Sequence, residues 1–532
     1  MDLENVLSEV SRMNNTYKNP ILYADYSDPD AIRVGEDYFM VASSFSNAPG
    51  LPLLHSKDLV NWKVVNYCIK DIPDERYSEP VHGCGVWAPS IRYHQGLYYV
   101  YFPMPDEGIY VTTARDPFGE WSRPVCVRAG AGWIDPCPFW DEDGNAYLVA
   151  GVAKSRIGYK SVLHMVRMTE DGMSVFGEEV KVFDGNENDQ TTIEGPKLYK
   201  KNGYYYIFAP AGGVKPGWQT VLRSKNIWGP YEYRVVMRQG NTEINGPHQG
   251  AWVDTVTGED WFIHFQDVFA AGRIVHLQPM HWEEDWPVIG VKSDDSNEYG
   301  EPVSEYRMPN VGKIYEKCSP DASDDFSKPV LGLQWQWNAN YKESWYELSK
   351  DGLKLSAVYK EPDRNLIDVP NLLIQKWPAK EFSVITRLYT GKMKAGDVAG
   401  VVSVGMDYGA AAVRKSEKGL ELISIIGSQS FKNSVASSSE ERKPVSELVS
   451  DRLYVKYDVS ITDTTVTLEG VTRNQERITI SVSSDGKNYD KVCEYMAKPG
   501  RWVGVKNGVF CYSEKKESTG YLLVENVTYT LH

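Results

Sequence analysis

One pattern recurs five times between residues 27 and 265, and it constrains this chain more than any other feature. Each copy has a polar or charged residue, an apolar alternating run, a turn with glycine, then a run rich in Tyr and Trp. The copies are SDPDAIRVGEDYFMVAS from Ser27, WAPSIRYHQGLYYVYF from Trp87, IDPCPFWDEDGNAYLVAG from Ile134, EGPKLYKKNGYYYIFAP from Glu194 and HQGAWVDTVTGEDWFIHF from His248. Their turn glycines, Gly35, Gly96, Gly144, Gly203 and Gly258, follow at steps of 61, 48, 59 and 55 residues. A weaker signature follows each copy, for example LLHSKDLVNW from Leu53 and VLRSKNIWGPY from Val221. Each unit therefore offers two hairpin-like pairs, or about four strands. Four strands repeated at roughly 50 residues describe a propeller blade. The expected architecture is all-β, with a five-bladed β-propeller. A β-sandwich with coincidental turns is the competing reading, and it leaves five agreements of repeat and turn unexplained.

The chain has 532 residues, too many for one core. From Val291 to Asp324 the pattern lapses into polar and charged residues, read as a linker or strap. Alternation then resumes without the repeat, as in GLKLSAVY, FSVITRLY and LYVKYDVSI. Many short strands over some 200 residues predict one β-sandwich as a second domain. The expected division is an N-terminal extension over 1–18, a propeller over 19–300, a linker over 301–325 and a sandwich over 326–532. Leu3–Met13 is the one short helix expected. SQSFKNSVASSSEERKP, from Ser428, is expected to be a mobile surface loop.

A net charge of −15 argues against nucleic acid as a partner. No run approaches the length that spans a membrane, so no membrane partner is expected. The seven cysteines are odd in number and none lies at CxxC spacing, which argues against a disulfide framework and a zinc site. The first residues lack a basic region followed by an apolar one, so a cytoplasmic location is the expectation. A homo-oligomer is compatible with the sequence, which does not fix the assembly state. Aromatics at 12% fit many strands and equally fit a surface that stacks on sugar rings.

The innermost strands of a propeller line its central channel, so polar groups at the blade starts converge. Here the blade starts supply Asp28, Trp87, Asp135, Glu194 and His248. Taken singly, Asp28-Pro29 and Asp135-Pro136 read as turn caps, Glu194-Gly195-Pro196 as a plain turn and His248 as a core histidine. Equivalent placement in separate repeats favours a shared site. Three carboxylates at one axis repel each other, so one of them tends to keep a proton. A paired acid and base is what glycosidic cleavage requires.

Between Asn19 and Gly290, the stretches NPILYADYSDPDAIRVGEDYFMVASSF, GVWAPSIRYHQGLYYVYF, GWIDPCPFWDEDGNAYLV, TTIEGPKLYKKNGYYYIF, GPHQGAWVD and GRIVHLQPMHWEEDWPVIG resemble glycoside hydrolase family 43 in order and spacing. The segment from Phe326, with GRWVGVKNGVFC near Gly500, resembles the lectin-like β-sandwich appended to xylosidase-type members. The resemblance implies Asp28 as general base, Glu194 as general acid, and Asp135 as the carboxylate that orients the acid and tunes its pKa. It implies Arg273 as a ligand of sugar hydroxyls, and Phe45 and Trp87 as walls of the sugar pocket. His248 matches a histidine near the channel centre that faces calcium or water, so Ca2+ in the channel is an expectation, although no cofactor is required. Asp25, Asp28 and Asp30 lie close together, and spacing alone does not choose among them; the family motif selects Asp28. The sequence departs from the family in SDPD, where many members have PDPS, and in the weakly aromatic SNAPG after Phe45.

The implied activity is exo-acting, inverting release of terminal pentose (β-D-xylose or α-L-arabinofuranose) from xylan- or arabinan-derived oligosaccharides. Inversion requires base and acid roughly 6.5–9.5 Å apart, with water between base and sugar. Two rivals are an endo-arabinanase, which needs an open cleft, and a non-catalytic carbohydrate-binding propeller.

Overall fold

Alternation along the strands explains how the propeller holds together. In the computed structural model, which describes residues 15–293, 296–432 and 435–532, strands of the N-terminal half form five four-stranded antiparallel meanders. Blade I comprises Asp30–Val34, Asp37–Val41, Gly50–Ser56 and Trp62–Ile69; blade II runs from Ser90–His94 to Val125–Ala129. Blades III, IV and V begin at Trp133–Trp140, Lys197–Lys201 and His248–Asp254. Successive side chains of a strand point to opposite faces. In blade II, Tyr98, Val100 and Phe102 therefore pack on blade I, while Tyr99 and Tyr101 pack on blade III. Both faces are covered, which is why LYYVYF reads as a continuous apolar run. Separate apolar clusters fill the remaining seams, III–IV, IV–V and V–I.

The five turn glycines join the first and second strands of the blades. Each has φ between +65° and +87°, with open space where a Cβ would stand. Glycine is thus selected there by backbone conformation, not by crowding.

Among the described residues, no strand is shared between blades I and V. The ring closes through the Leu22–Val275 bridge, through the V–I apolar cluster, and through Arg273 at the start of the third strand of blade V, Arg273–Glu283. Val291–Ser293 and Ser296–Glu301 form a hairpin that extends blade IV, and Glu305–Arg307 then pairs with Thr16–Lys18. The helix expected over Leu3–Met13 falls outside the described residues.

The C-terminal half is a sandwich of an eight-stranded and a seven-stranded sheet. It shares one apolar cluster with the propeller: Val268, Ala270, Ala271 and Ile274 pack with Trp335, Trp337 and Phe326. Main-chain bonds cross the boundary, from Trp337 N to Ala48 O at 2.6 Å and from Val505 N to Ala270 O at 2.7 Å.

The stretch from Ser428 expected to be a mobile loop is instead the outer part of a long hairpin. Leu420–Lys432 pairs with Val435–Leu448 from Leu420–Leu448 out to Lys432–Val435. The second strand lies at a sheet edge. Polar and charged residues are tolerated there because the ladder satisfies the backbone and side chains reach solvent. All seven cysteines are free thiols.

Candidate active site

The blade starts converge on a pocket of about 440 Å³ lined by Asp28, Asp135, Glu194, Phe45, Trp87 and Arg273. Six of the seven residues selected from the sequence thus share one cavity wall. The seventh, His248, is fully buried behind it, its Nε2 3.4 Å from Glu194 Oε1.

Backbone strain positions the two aspartates. Asp28 and Asp135 each precede a proline and each has φ 56°. Left-handed backbone is unfavourable for a non-glycine residue, by roughly 1–2 kcal/mol. It turns each side chain out of the strand line towards the axis. Gly195, next to Glu194, has φ +60°, and its N–H donates to Asp135 Oδ2 at 2.8 Å. The third carboxylate is thereby tied to the backbone that carries the glutamate.

The hydrogen-bond partners differ sharply among the three acids. Asp28 accepts from Ser27 Oγ and Ser43 Oγ, both at 2.6 Å, and from Arg273 at 2.8 Å. One of these three donors is a buried guanidinium, and such charge-assisted hydrogen bonds are the strong ones. Among the described residues, Glu194 has no such set of donors, only His248 Nε2 at 3.4 Å. Burial first, then the negative charges of Asp135 and Asp28, push its pKa up to about 8, with Arg273 opposing. Burial and then the charge of Asp28 push Asp135 up to about 6. At neutral pH the glutamate therefore holds a proton.

The structure also decides among the clustered aspartates. Asp30 is fully buried in a seam, accepting from Arg92 at 2.7 Å and from Ile91 N at 2.8 Å. Asp25 accepts the backbone N–H groups of Arg273 at 3.0 Å and of Gly504 at 2.8 Å. Only Asp28 of the three lines the pocket.

The donor set around His248 does not suit calcium. A hard cation takes six to eight oxygens. His248 offers ring nitrogens packed on Phe265. Burial, then Arg273 and His264, hold its pKa down to about 3, so it is neutral. Among the described residues no three His, Cys, Asp or Glu side chains converge in a way that could hold a metal ion.

Several lining residues escaped the sequence reading. Gln249, with φ 43°, lies against Gly195 at a bulge in the first strand of blade V. Lys160 and Val214 come from loops within blades III and IV. Trp502 comes from the sandwich, its ring 6.4 Å from that of Trp87 in an edge-on arrangement. The RWVG stretch that holds it is visible in the sequence, but nothing in the blade repeat points to it.

Known proteins bear out the architecture. Residues 17–287 match the model for "Glycosyl hydrolases family 43", and residues 323–530 match "Beta xylosidase C-terminal Concanavalin A-like domain". A putative beta-xylosidase of Xylanibacter ruminicola is 45% identical over 368 residues, spanning 68% of this chain and 66% of that protein. A beta-xylosidase of Formosa agariphila is 29% identical over 97% of this chain and 90% of its own length. The crystal structure of the GH43 protein BlXynB from Bacillus licheniformis superposes with a TM-score of 0.77 at 25% identity, covering 97% of this chain and 99% of that one. The chain belongs to glycoside hydrolase family 43 and joins a five-bladed catalytic propeller to a concanavalin A-like sandwich.

Proposed function

We propose that this chain releases a terminal pentose, xylose or arabinofuranose, from the non-reducing end of xylan- or arabinan-derived oligosaccharides, with inversion. One observation carries the reading: a proton-holding Glu194 and an Arg273-paired Asp28 share one pocket. Asp28 takes a proton from water. The water oxygen attacks the anomeric carbon from the face opposite the leaving oxygen. The glycosidic C–O bond breaks as Glu194 transfers its proton to that oxygen. Solvent then removes the proton from Asp28 and restores that of Glu194. Asp135 holds the Gly195 backbone and adds negative charge that keeps Glu194 protonated. Arg273 orients Asp28 and offers its remaining donors to sugar hydroxyls. Phe45 and Trp87, with rings 6.2 Å apart, supply apolar walls. Trp502 narrows the mouth, which favours exo action over the open cleft of an endo-arabinanase.

The test pairs nitrophenyl β-xyloside with nitrophenyl α-arabinofuranoside and follows the first-formed anomer by NMR. A retained anomer would overturn the mechanism. Oligosaccharide products from linear arabinan would favour the endo reading. Glu194→Ala should lower kcat on nitrophenyl pentosides by about 10²–10⁴-fold. It should keep much more activity on a dinitrophenyl pentoside, whose leaving oxygen needs no proton. Asp28→Ala should fail on both. A wild type that binds sugar and hydrolyses none of these substrates would point to the non-catalytic binding propeller.

A further inference from the structure

A second cavity, of about 510 Å³, joins the catalytic pocket at Val214, Arg273 and Trp502. Resting on the function proposed above, we infer that this cavity is a leaving-side subsite for an acidic sugar, with Arg501 receiving the carboxylate of a uronic acid. The propeller supplies one wall, including Lys215 and Phe269; the sandwich supplies the other, including Phe431 and Arg501. A chain extending from the sugar at Glu194 would pass Trp502, one of the three residues common to both cavities.

Charge accounting singles out Arg501. Among the other cations of the cavity, Lys498 pairs with Asp407 at 2.7 Å and Arg273 with Asp28 at 2.8 Å. Lys215 lies 3.7 Å from Asp267 and 3.6 Å from Glu469. Among the described residues no carboxylate reaches Arg501. The charged side chain nearest in effect is Arg156, itself tied to Asp106, and burial together with Arg156 disfavours the Arg501 cation. An anionic ligand would relieve both.

The side chain is also held in place. Its guanidinium lies 4.6 Å over the Phe431 ring and 5.7 Å from the Trp502 ring. Its stem runs past Gly83, where even a methyl would stand 2.7 Å from Arg501 Cδ. A guanidinium packed on its faces keeps its donor edges free, and that planar fork matches a carboxylate. Trp502, 45% exposed with φ 68°, offers a face for the ring that bears the acid.

The experiment compares kcat/KM for two matched xylo-oligosaccharides, one neutral and one with a uronic acid on the leaving side. The wild type should prefer the acidic one by about tenfold, a difference the size of one charge-assisted hydrogen bond. Added salt should shrink the preference. Arg501→Gln should bring the ratio close to one, and Arg501→Lys should keep part of it. Equal rates in the wild type, or an Arg501→Gln loss shared equally by both substrates, would overturn the inference. Calorimetric titration of Glu194→Gln with the same two sugars reads the subsite without turnover. Tighter binding of the acidic sugar supports the subsite even where hydrolysis of nitrophenyl pentosides fails, and equal binding overturns it.

Discussion

Glu194 keeps a proton that the same side chain would lose in water, and this has a kinetic and a thermodynamic side. With its pKa near 8, the proposed acid is in the working form at neutral pH and is lost above it. The pH profile of kcat/KM should therefore show an alkaline limb falling with an apparent pKa near 8. Between its ordinary value of 4.5 and about 8, the folded chain holds a proton that the unfolded chain does not. Stability contributed by this group is complete below the lower value and is lost as pH rises through the upper one. Glu194→Gln removes that dependence. Relative to wild type, the variant should gain on the order of 3 kcal/mol on moving from pH 5 to pH 8, read as a difference in Tm. A variant that tracks the wild type across that range would count against a raised pKa. Strain at an active site that a stabilising substitution relieves is common where function sets the residue.

At the scale of strands and turns, the strained residues cluster where chains enter the pocket: Asp28, Phe45, Asp135 and Gln249 all have positive φ. At Gly195, with φ +60°, a side chain has no room, since a Cβ would stand 2.8 Å from Gln249 Cγ. Gly195→Ala should shift the backbone donor of Asp135 and lower kcat/KM by at least about tenfold, with a stability loss of roughly 1–2 kcal/mol. An unchanged kcat/KM would show that the Gly195 contact does not position the carboxylates. The same scale shows what was legible in the chain. The blades were, because a side-chain period of two and a turn glycine recur at each copy. The convergence of Asp28, Asp135 and Glu194 was legible because position within a repeat maps to position around an axis. Trp502 and Arg501 were not, since they sit in an irregular loop some 300 residues beyond Glu194 and no periodicity carries that distance. The hairpin around Ser437 was misread because an edge strand with wet faces has the composition of a loop. Ser43 was hidden because its tie to Asp28 depends on how the second strand of blade I ends, not on its place in the repeat.

For the whole molecule, propeller and sandwich are not separable bodies. Removing residues 323–532 would expose Val268, Ala270, Ala271 and Ile274 and would withdraw Trp502 from the pocket. The isolated propeller should aggregate at concentrations where the full chain stays dispersed, and any dispersed fraction should hydrolyse nitrophenyl pentosides much more slowly; light scattering and kcat/KM check both. A fully active, monodisperse propeller would refute this. The connectivity of the ring gives the reason for the coupling. Around four seams the chain runs directly from one blade into the next, so each neighbour is leashed to the last. Between blades V and I the chain has no such run-on, and the Leu22–Val275 bridge, the apolar cluster and the Arg273–Asp28 pair close the seam. A loop of the sandwich spans it as well, gripping Asp25 on one side through Gly504 and Ala270 on the other through Val505. The C-terminal domain is then the buckle of a belt. Asp28, the proposed base, and its partner Arg273 face each other across the clasp, so unfastening it should separate them before any blade melts. Heat should silence this enzyme by opening one joint rather than by dissolving its sheets.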